Sequence, residues 1–435
     1  YAGGGLGYVY NTPALYGTIM GNPDLIALRQ NTAATAEAVE VARRFPTALN
    51  PVLWIDYRPI TLIPPDTFGS MSPGGGGTGG PSNPGGPAGR PQHHSFYHSG
   101  QNFLYLSWRQ PVELGHQTTH RYAIAKAQYD QAHWTQVQAE LQALVQTYRF
   151  FQTAAYRREK LRVAQQLADF NDRLEQTLRR RMEAGQVQAA DVALTAIETE
   201  ATRQQLEAAR QDYVNALTDL RTQMGLPESA ATAEPLGEFL LPPYIPPADD
   251  EAFLQAALRN RPEIYAAQAQ VQGALAAIRL ARADRIPSPI IGPEYEIDEA
   301  GVQYVGLVYI TPVPVLNTGK ALVRQREAEY RRACVALQQV QQRTIAQVKA
   351  ALAKWNGASR LVAQTAGLTD TLKTQVTALE RLFEEGQADL NKLLQARQRL
   401  IQLENARLDA IWQATQAQAD LLLVIGAQSL LNVLQ

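Results

Sequence analysis

The longest pattern of apolar and polar positions in the chain has a helical period and occurs twice. Five large apolar residues lie 7, 4, 3 and 4 positions apart: Leu206, Tyr213, Leu217, Leu220 and Met224. This spacing is a heptad seam, typical of a helix that packs along one neighbouring helix. Near the C-terminal end, Leu408, Ile411, Leu422 and Ile425 follow the same rhythm, with polar Thr415 and Gln418 between them. The pattern predicts long helices packed side by side and hydrated on two faces, rather than a globular core.

Glycines at the ends of these helical patterns indicate a duplicated unit. Gly185 and Gly386 each end one long pattern a few residues before another begins. Because glycine adopts positive φ without a Cβ penalty, each predicts the turn of an αα-hairpin. The second arms run from these turns to Gly225 and Gly426, at a constant offset of 201 between the copies. Two equal arms at one offset predict two copies of one structural plan.

Short segments of period-two alternation precede each hairpin and predict strands. In the first copy, Leu53, Ile55 and Tyr57 alternate with Asp56 and Arg58. In the second, an apolar set alternates with an acidic one: Ile291, Tyr295 and Ile297 against Glu294, Glu296 and Asp298. Such alternation is typical of a strand with one buried face and one hydrated face.

These patterns divide the chain into two repeats. We predict an irregular segment 1–21, a first repeat 22–226, a Pro-rich linker 227–252, a second repeat 253–427 and a tail 428–435. The first repeat is predicted to hold helix 23–45, strands 51–62 and 95–110 joined by a Gly/Pro-rich flexible loop 63–94, and helical hairpin 116–224. The second is predicted to hold helix 253–286, strands 289–298 and 302–311, and helical hairpin 320–425.

The composition excludes several functional classes for this protein. The chain has 40 basic and 41 acidic residues and a net charge of -1, so it lacks the basic face of a nucleic-acid-binding protein. The lone Cys334 excludes an internal disulfide and a cysteine-based zinc site. No apolar run approaches the roughly 18 residues of a membrane helix.

Histidines and carboxylates are the main candidates for chemistry. All six histidines fall within a short stretch: His93, His94, His98, His116, His120 and His133. The i, i+4 spacing of His116 and His120 could present two imidazoles to one metal, but no glutamate lies between them and no cysteine lies nearby. The regular alternation of the acidic strand positions favours a hydrated face over a paired-carboxylate active site. No nucleophile set or nucleotide fingerprint is present, so we expect no enzyme activity, no cofactor and no bound metal.

Motifs in a fixed, duplicated order give a resemblance to a known family. The repeats start with Asn22-Pro23-Asp24-Leu25 and Arg261-Pro262-Glu263-Ile264, the turns carry Glu183 to Gly185 and Glu384 to Gly386, and Met224-Gly225-Leu226-Pro227 closes the first copy. Over residues 22–427 this order resembles the TolC-type outer-membrane efflux proteins. The segments 110–115 and 312–317 are similar to the heavy-metal-export branch of that family.

The resemblance implies a fold and a role. The fold is mainly α with a small β part: duplicated strand and long-helix-hairpin units form a trimeric α-helical barrel continuous with a twelve-stranded transmembrane β-barrel, four strands per chain. The role is that of a passive exit duct from the periplasm in a tripartite efflux or type I secretion system, in contact with outer-membrane lipid and coupled to an inner-membrane pump. A periplasmic adaptor is expected to dock at the helical tip and open it.

Two sets of site residues follow from this expectation. The tip is expected to include Arg181, Glu183, Gly185, Asp191, Glu384, Glu385, Gly386 and Lys392. The pore-facing strand residues are expected to be Asp56, Arg58, Glu294, Glu296 and Asp298. Since four strands cannot close a barrel and an open sheet edge cannot face lipid, a membrane location would require oligomerisation.

Two other hypotheses compete with the channel. A soluble periplasmic coiled-coil scaffold or adaptor would use the strands as a small capping domain and would need no detergent. A zinc or copper enzyme built on the histidines would carry at least one equivalent of metal.

Overall fold

A computed structural model describes residues 21–44, 46, 49–58, 103–225, 239, 250–298, 302–385 and 387–426. These residues form seven helices and four strands: α1 Pro23–Arg43, β1 Val52–Arg58, β2 Phe103–Pro111, α2 Gln117–Glu183, α3 Ala189–Gln223, α4 Asp250–Asn260, α5 Pro262–Ala283, β3 Ile290–Ile297, β4 Gln303–Ile310, α6 Lys320–Glu384 and α7 Leu390–Ile425. The predicted loop 63–94, residues 1–20, most of the linker and the C-terminal tail lie outside the described residues. None of the described helices combines the length and the apolar character that a membrane span requires.

The predicted helix 253–286 is two helices, α4 and α5, that meet at Arg261. Pro262 is the first residue of α5, a position where the missing N–H of proline costs no helical hydrogen bond. The Arg261 side chain is buried, and its Nη1 donates to Thr344 Oγ1 at 3.0 Å and Gln347 Oε1 at 2.6 Å on α6. The position of the junction is therefore set by Pro262, which starts a new helix, and by the hydrogen bonds of Arg261 to α6.

The chain separates into two compact units. One unit comprises residues 38–125 and 275–328 and contains the sheet. The other comprises residues 1–37, 126–274 and 329–435 and contains the hairpin ends. Each is described below by itself.

The sheet has the order β1-β2-β3-β4, with every neighbouring pair antiparallel. The register places Leu53 opposite Trp108, Ile55 opposite Leu106, and Tyr295 opposite Val305. Because side chains alternate along a strand, one face of the sheet carries no charged strand residue and collects apolar side chains such as Leu53, Leu106, Tyr295 and Val305. The opposite face carries every charged residue of the strands: Asp56, Arg58, Arg109, Glu294 and Glu296.

In the other unit most of the first predicted seam is buried and Leu206 is half-buried, whereas in the second seam Ile411 is buried and Leu408, Leu422 and Ile425 are half-buried. Tyr213, Leu217, Leu220 and Met224 form one apolar cluster with Ala154 and contact Phe150, Phe151 and Leu161 of α2. In the second hairpin, Trp355, Ala358 and Val362 of α6 pack with Ala410, Ile411, Ala414 and Ala417 of α7. These clusters explain why helices of such low apolar content stay paired.

Candidate functional site

The turn between α2 and α3 is a helix end built on glycine. Gly185 has φ +73°, its N–H donates to Met182 O at 2.9 Å, and the N–H of Gln186 donates to Arg181 O at 2.9 Å. This pair of bonds is the Schellman motif, which uses the last carbonyls of a helix. A Cβ added at Gly185 would meet no atom within 4 Å, so the backbone conformation alone requires glycine here.

The turn between α6 and α7 repeats that geometry. The N–H of Gln387 donates to Leu382 O at 2.8 Å, the counterpart at offset 201 of the bond from Gln186 to Arg181. Gly386 itself lies outside the described residues. The structure therefore has both predicted hairpins, with the same closing hydrogen bond.

One apolar cluster joins the two hairpin ends, and we call it the tip cluster. Its buried members come from both hairpins: Leu174, Leu178 and Val192 from the first, and Phe383, Leu390 and Leu393 from the second. Phe170, Val187, Leu379, Ala388 and Leu394 pack against it. Leu178 is 2% exposed and Leu393 is 1% exposed, so a single chain completes this core without a partner.

Two arginines reach across from one hairpin to a phenylalanine of the other. The guanidinium of Arg181 lies 5.3 Å from the ring centre of Phe383, and that of Arg397 lies 4.7 Å from the ring centre of Phe170. Arg397 also forms an ion pair with Glu380 at 3.0 Å. Such contacts contribute about 0.5–2 kcal/mol each, more where the cation is shielded from water. Sequence reasoning identified Arg181 but missed both phenylalanines and Arg397.

The other expected tip residues remain on the surface of the turns. Glu183, Glu385 and Lys392 are exposed and Asp191 is half-buried, and none of them has an ion-pair partner among the described residues. Glu384 is the last residue of α6, and the structure does not describe its side chain. Asp389, which precedes α7, is extended and makes no side-chain capping bond. The end of the hairpins therefore presents charged and amide groups over an apolar core.

The expected pore-facing residues share one face of the sheet, apart from Asp298. Arg58 pairs with Asp56 at 3.3 Å, and Tyr105 donates to Glu294 Oε2 at 2.9 Å. Arginines also cover aromatic rings on this face, with Arg109 4.6 Å from the ring centre of Trp54. Asp298 lies beyond the end of β3, and its Oδ1 accepts the N–H of Val302 at 2.8 Å. Its backbone N–H also donates to Val302 O at 3.0 Å, one rung beyond the pairing of Ile297 with Gln303.

The opposite face of the sheet is apolar and open. Val305 is 84% exposed, Leu307 69%, and Leu53 and Ile55 58% each. The strands β1 and β4 each have one edge without a partner strand within the described residues. An apolar surface of this extent marks contact with lipid or with another protein.

The described histidines are His116, His120 and His133. His133 stacks on Tyr129, with ring centres 6.1 Å apart, and meets Trp134 edge-on, with ring centres 5.4 Å apart. Across the residues that the structure describes, no group of three or more His, Cys, Asp or Glu side chains is placed to hold a metal ion. His93, His94 and His98 lie outside those residues.

Comparison with known proteins places these features in a family. The family model described as "Outer membrane efflux protein" matches residues 94–226 and 253–427. The outer-membrane channel OprN has a structure with a TM-score of 0.71 at 14% identity, covering 96% of this chain and 91% of its own. VceC of Vibrio cholerae has a TM-score of 0.69 at 13% identity, covering 98% of this chain and 98% of its own. The outer-membrane channel CmeC of Campylobacter jejuni has a TM-score of 0.68 at 13% identity, covering 96% of this chain and 86% of its own. None of the curated protein sequences compared with the chain matches it.

Proposed function

Because the chain belongs to the family of outer membrane efflux proteins, we propose that it is the exit duct of a tripartite efflux or type I secretion system. Members of this family are channels of the outer membrane, and this chain is such a channel protein rather than an enzyme. In the proposed role it conducts passively from periplasm to exterior, and an inner-membrane pump selects the cargo. A similarity to the heavy-metal-export branch stays a prediction.

The sheet supports a homotrimer. A four-stranded sheet whose two edges have no partner strand among the described residues cannot satisfy its backbone groups in lipid, whereas three copies supply twelve strands and close a barrel. In that arrangement the apolar face contacts lipid. The face with Asp56, Arg58, Glu294 and Glu296 lines the lumen, since transmembrane barrels alternate apolar-out and polar-in.

The tip cluster is the main observation that supports the hairpin turns as the docking end. It holds the turn at Gly185 and the turn between α6 and α7 in one place, while Glu183, Glu385 and Lys392 stay exposed. Rigid placement of exposed polar groups is what a partner needs for specific recognition. We assign this end to a periplasmic adaptor that presents its own helical hairpin.

A photocrosslinking experiment in cells tests the docking end. A photoreactive residue is placed at Gln186 or at Gln387, with the exposed Gln204 in the middle of α3 as the matched control. We expect crosslinks to the host's periplasmic adaptor from both turn positions and few from Gln204. Export is followed in the same cells as efflux of a fluorescent pump substrate. Equal crosslinking at all three positions, with export intact, would refute docking at the tip.

A further inference from the structure

The two connections from a strand to a long helix have the same backbone geometry. His116 precedes α2 with φ +57°, and Gly319 precedes α6 with φ +70°. Each accepts a backbone hydrogen bond that starts its helix, from His120 N at 3.3 Å and from Val323 N at 3.2 Å. Residues of the two connections therefore correspond at an offset of 203, the separation of His116 and Gly319.

The chemistry of the two connections differs. In the first, the Glu113 carboxylate accepts a hydrogen bond from Thr118 Oγ1 at 2.7 Å and pairs with Arg121 at 2.6 Å. The corresponding positions of the second are Leu316 and Arg324. The second connection therefore keeps the cation, lacks its carboxylate and has an apolar side chain in its place.

An uncovered apolar stretch leads from β4 to α6, and we call residues 313–316 the apolar connection. Val313 is 73% exposed, Val315 77% and Leu316 102%. The stretch follows the exposed apolar face of β4, to which Leu307 and Tyr309 belong. The apolar surface of the sheet thus continues beyond the end of the strand.

The end of the apolar connection is held in a fixed conformation. Asn317 Oδ1 accepts the N–H of Gly319 at 2.9 Å, and Arg285 Nε donates to Thr318 O at 3.0 Å. The aliphatic part of Arg285 lies against Gly319, where an added Cβ would come within 2.8 Å of Arg285 Cγ. These contacts fix the base of the connection while its apolar side chains stay uncovered.

Cations follow the apolar connection along the chain. Lys320 and Arg324 are exposed, and their i, i+4 spacing places them on one face of α6. Neither has an ion-pair partner in the part of the chain that the structure describes. Glu327, on the next turn of α6, pairs instead with Arg282 at 2.9 Å. The start of α6 therefore presents positive charge that no carboxylate of the described residues balances.

This order of side chains matches the layers of a lipid leaflet. From Leu307 to Arg324 the chain passes from an apolar strand face through Tyr309 and the apolar connection to two cations. A leaflet passes in the same order from acyl chains through the interface, where tyrosine is enriched, to phosphate groups that attract lysine and arginine. A phospholipid with an anionic headgroup therefore complements both the apolar and the charged part of the surface.

A neighbouring copy of the chain would complement the charge less well. Residues 37–44, which precede the edge strand β1, contain two carboxylates and two arginines and so have no net charge. One of these carboxylates, that of Glu40, already pairs with Arg43 at 3.2 Å. A neighbour that approached β4 through β1 would bring no surplus negative charge to Lys320 and Arg324.

We propose that the start of α6 and the apolar connection form a binding site for an anionic phospholipid. Lys320 and Arg324 contact the phosphate of the headgroup, and arginine can do so through two parallel N–H bonds. The side chains of Val313, Val315 and Leu316 lie among the adjoining acyl chains. The proposal rests on the proposed function, because it takes the apolar face of the sheet to be in contact with lipid.

Lipid affinity tests the charged half of the site. Native mass spectrometry of the detergent-extracted chain counts bound phosphatidylglycerol, with zwitterionic phosphatidylcholine as the comparison lipid. Each cation near a lipid surface contributes about a fivefold gain in affinity, so Lys320→Gln combined with Arg324→Gln should weaken phosphatidylglycerol binding about tenfold or more. Phosphatidylcholine binding should change little. The matched control removes two other exposed cations of α6, Lys349→Gln with Lys373→Gln, and should bind as the unmodified chain does.

Fluorescence quenching tests the apolar half. After Cys334→Ser removes the only native thiol, single cysteines at Leu316, Leu307 and Val335 are labelled with a fluorophore. The labelled chains are placed in nanodiscs that contain phospholipid with a nitroxide on its acyl chain. We expect quenching at Leu307, which reports insertion of the strand face, and at Leu316. Val335, which is 51% exposed farther along α6, should not be quenched.

The outcomes separate this inference from the proposed function. Equal phosphatidylglycerol affinity in the two double variants would overturn the inference. Quenching at Leu307 without quenching at Leu316 would also overturn it and leave the exit duct intact, with a neighbouring chain then covering the apolar connection. Quenching at neither position would remove the proposed function together with the inference. If the variant without Lys320 and Arg324 does not assemble, the label at Leu316 decides alone.

Discussion

Leu393→Ala is expected to loosen the whole tip, including the hairpin that does not contain it. Leu393 is the most deeply buried member of the tip cluster, at 1% exposed. Replacing a packed core leucine by alanine costs about 2–5 kcal/mol. Since about 1.4 kcal/mol is a factor of ten, even the lower figure makes the open form of the tip about 30-fold more populated. Leu382→Ala is the matched control, because Leu382 lies nearby but is 41% exposed.

Limited trypsin digestion of the detergent-extracted protein measures this population. Arg180 and Arg181 end α2 on the first hairpin, so cleavage there reports loosening transmitted from Leu393 on the second. When opening and closing are fast relative to cleavage, the cleavage rate follows the open population. Mass spectrometry of the fragments should show cleavage after Arg180 or Arg181 rising about 30-fold or more in Leu393→Ala, and little in Leu382→Ala. Equal rates in the two variants would refute the claim that one core holds both turns.

Three further outcomes follow from the geometry. Gly185→Val should lower the free energy of unfolding by about 1–2 kcal/mol more than Gly185→Asn, because asparagine tolerates positive φ and a β-branched residue does not. Equal thermal midpoints of the two variants would contradict this. Deleting Gly74–Gly89 should leave the yield of assembled protein on size exclusion nearly unchanged, and a collapse would show that the loop braces the barrel. Burial raises the pKa of Glu113, but hydrogen bonds from Thr118 and Arg121 outweigh it and hold that pKa below its usual 4.5. Glu113 therefore stabilises the fold at neutral pH, and this stabilisation is lost as the pH falls through the pKa of Glu113 in the folded state. The thermal midpoint of Glu113→Gln should lie below that of the unmodified protein at neutral pH, and the difference should shrink below about pH 4. A difference that stays constant with pH would contradict the stabilising role of the Glu113 carboxylate.

The fold was largely predictable because its signals are periodic. The alternation of Leu53, Ile55 and Tyr57 with Asp56 and Arg58 matches the two faces of the sheet. The offset of 201 between the turns predicted two equivalent hairpins, and both helix ends carry the same closing hydrogen bond. Periodic patterns reveal which side of an element faces a partner.

Contacts between distant segments could not be predicted in the same way. Thr415 and Gln418 weakened the second seam in the sequence, yet they are 1% and 2% exposed, and Gln418 accepts a hydrogen bond from Tyr148 at 3.4 Å. Phe170 and Arg397 are 227 residues apart, and nothing in either neighbourhood points to the other. The burial of Thr415 and Gln418 and the Arg–Phe contacts depend on how distant helices pack, and this packing cannot be predicted from a single sequence.

The mass of the detergent-extracted protein tests the central claim most directly. Native mass spectrometry should find an assembly of three chains, three times 47.9 kDa, that needs detergent to stay in solution. That result is expected because only three four-stranded sheets complete a twelve-stranded barrel and cover every strand edge. A monodisperse monomer of 47.9 kDa that stays soluble without detergent would contradict the account of this chain as an outer-membrane exit duct.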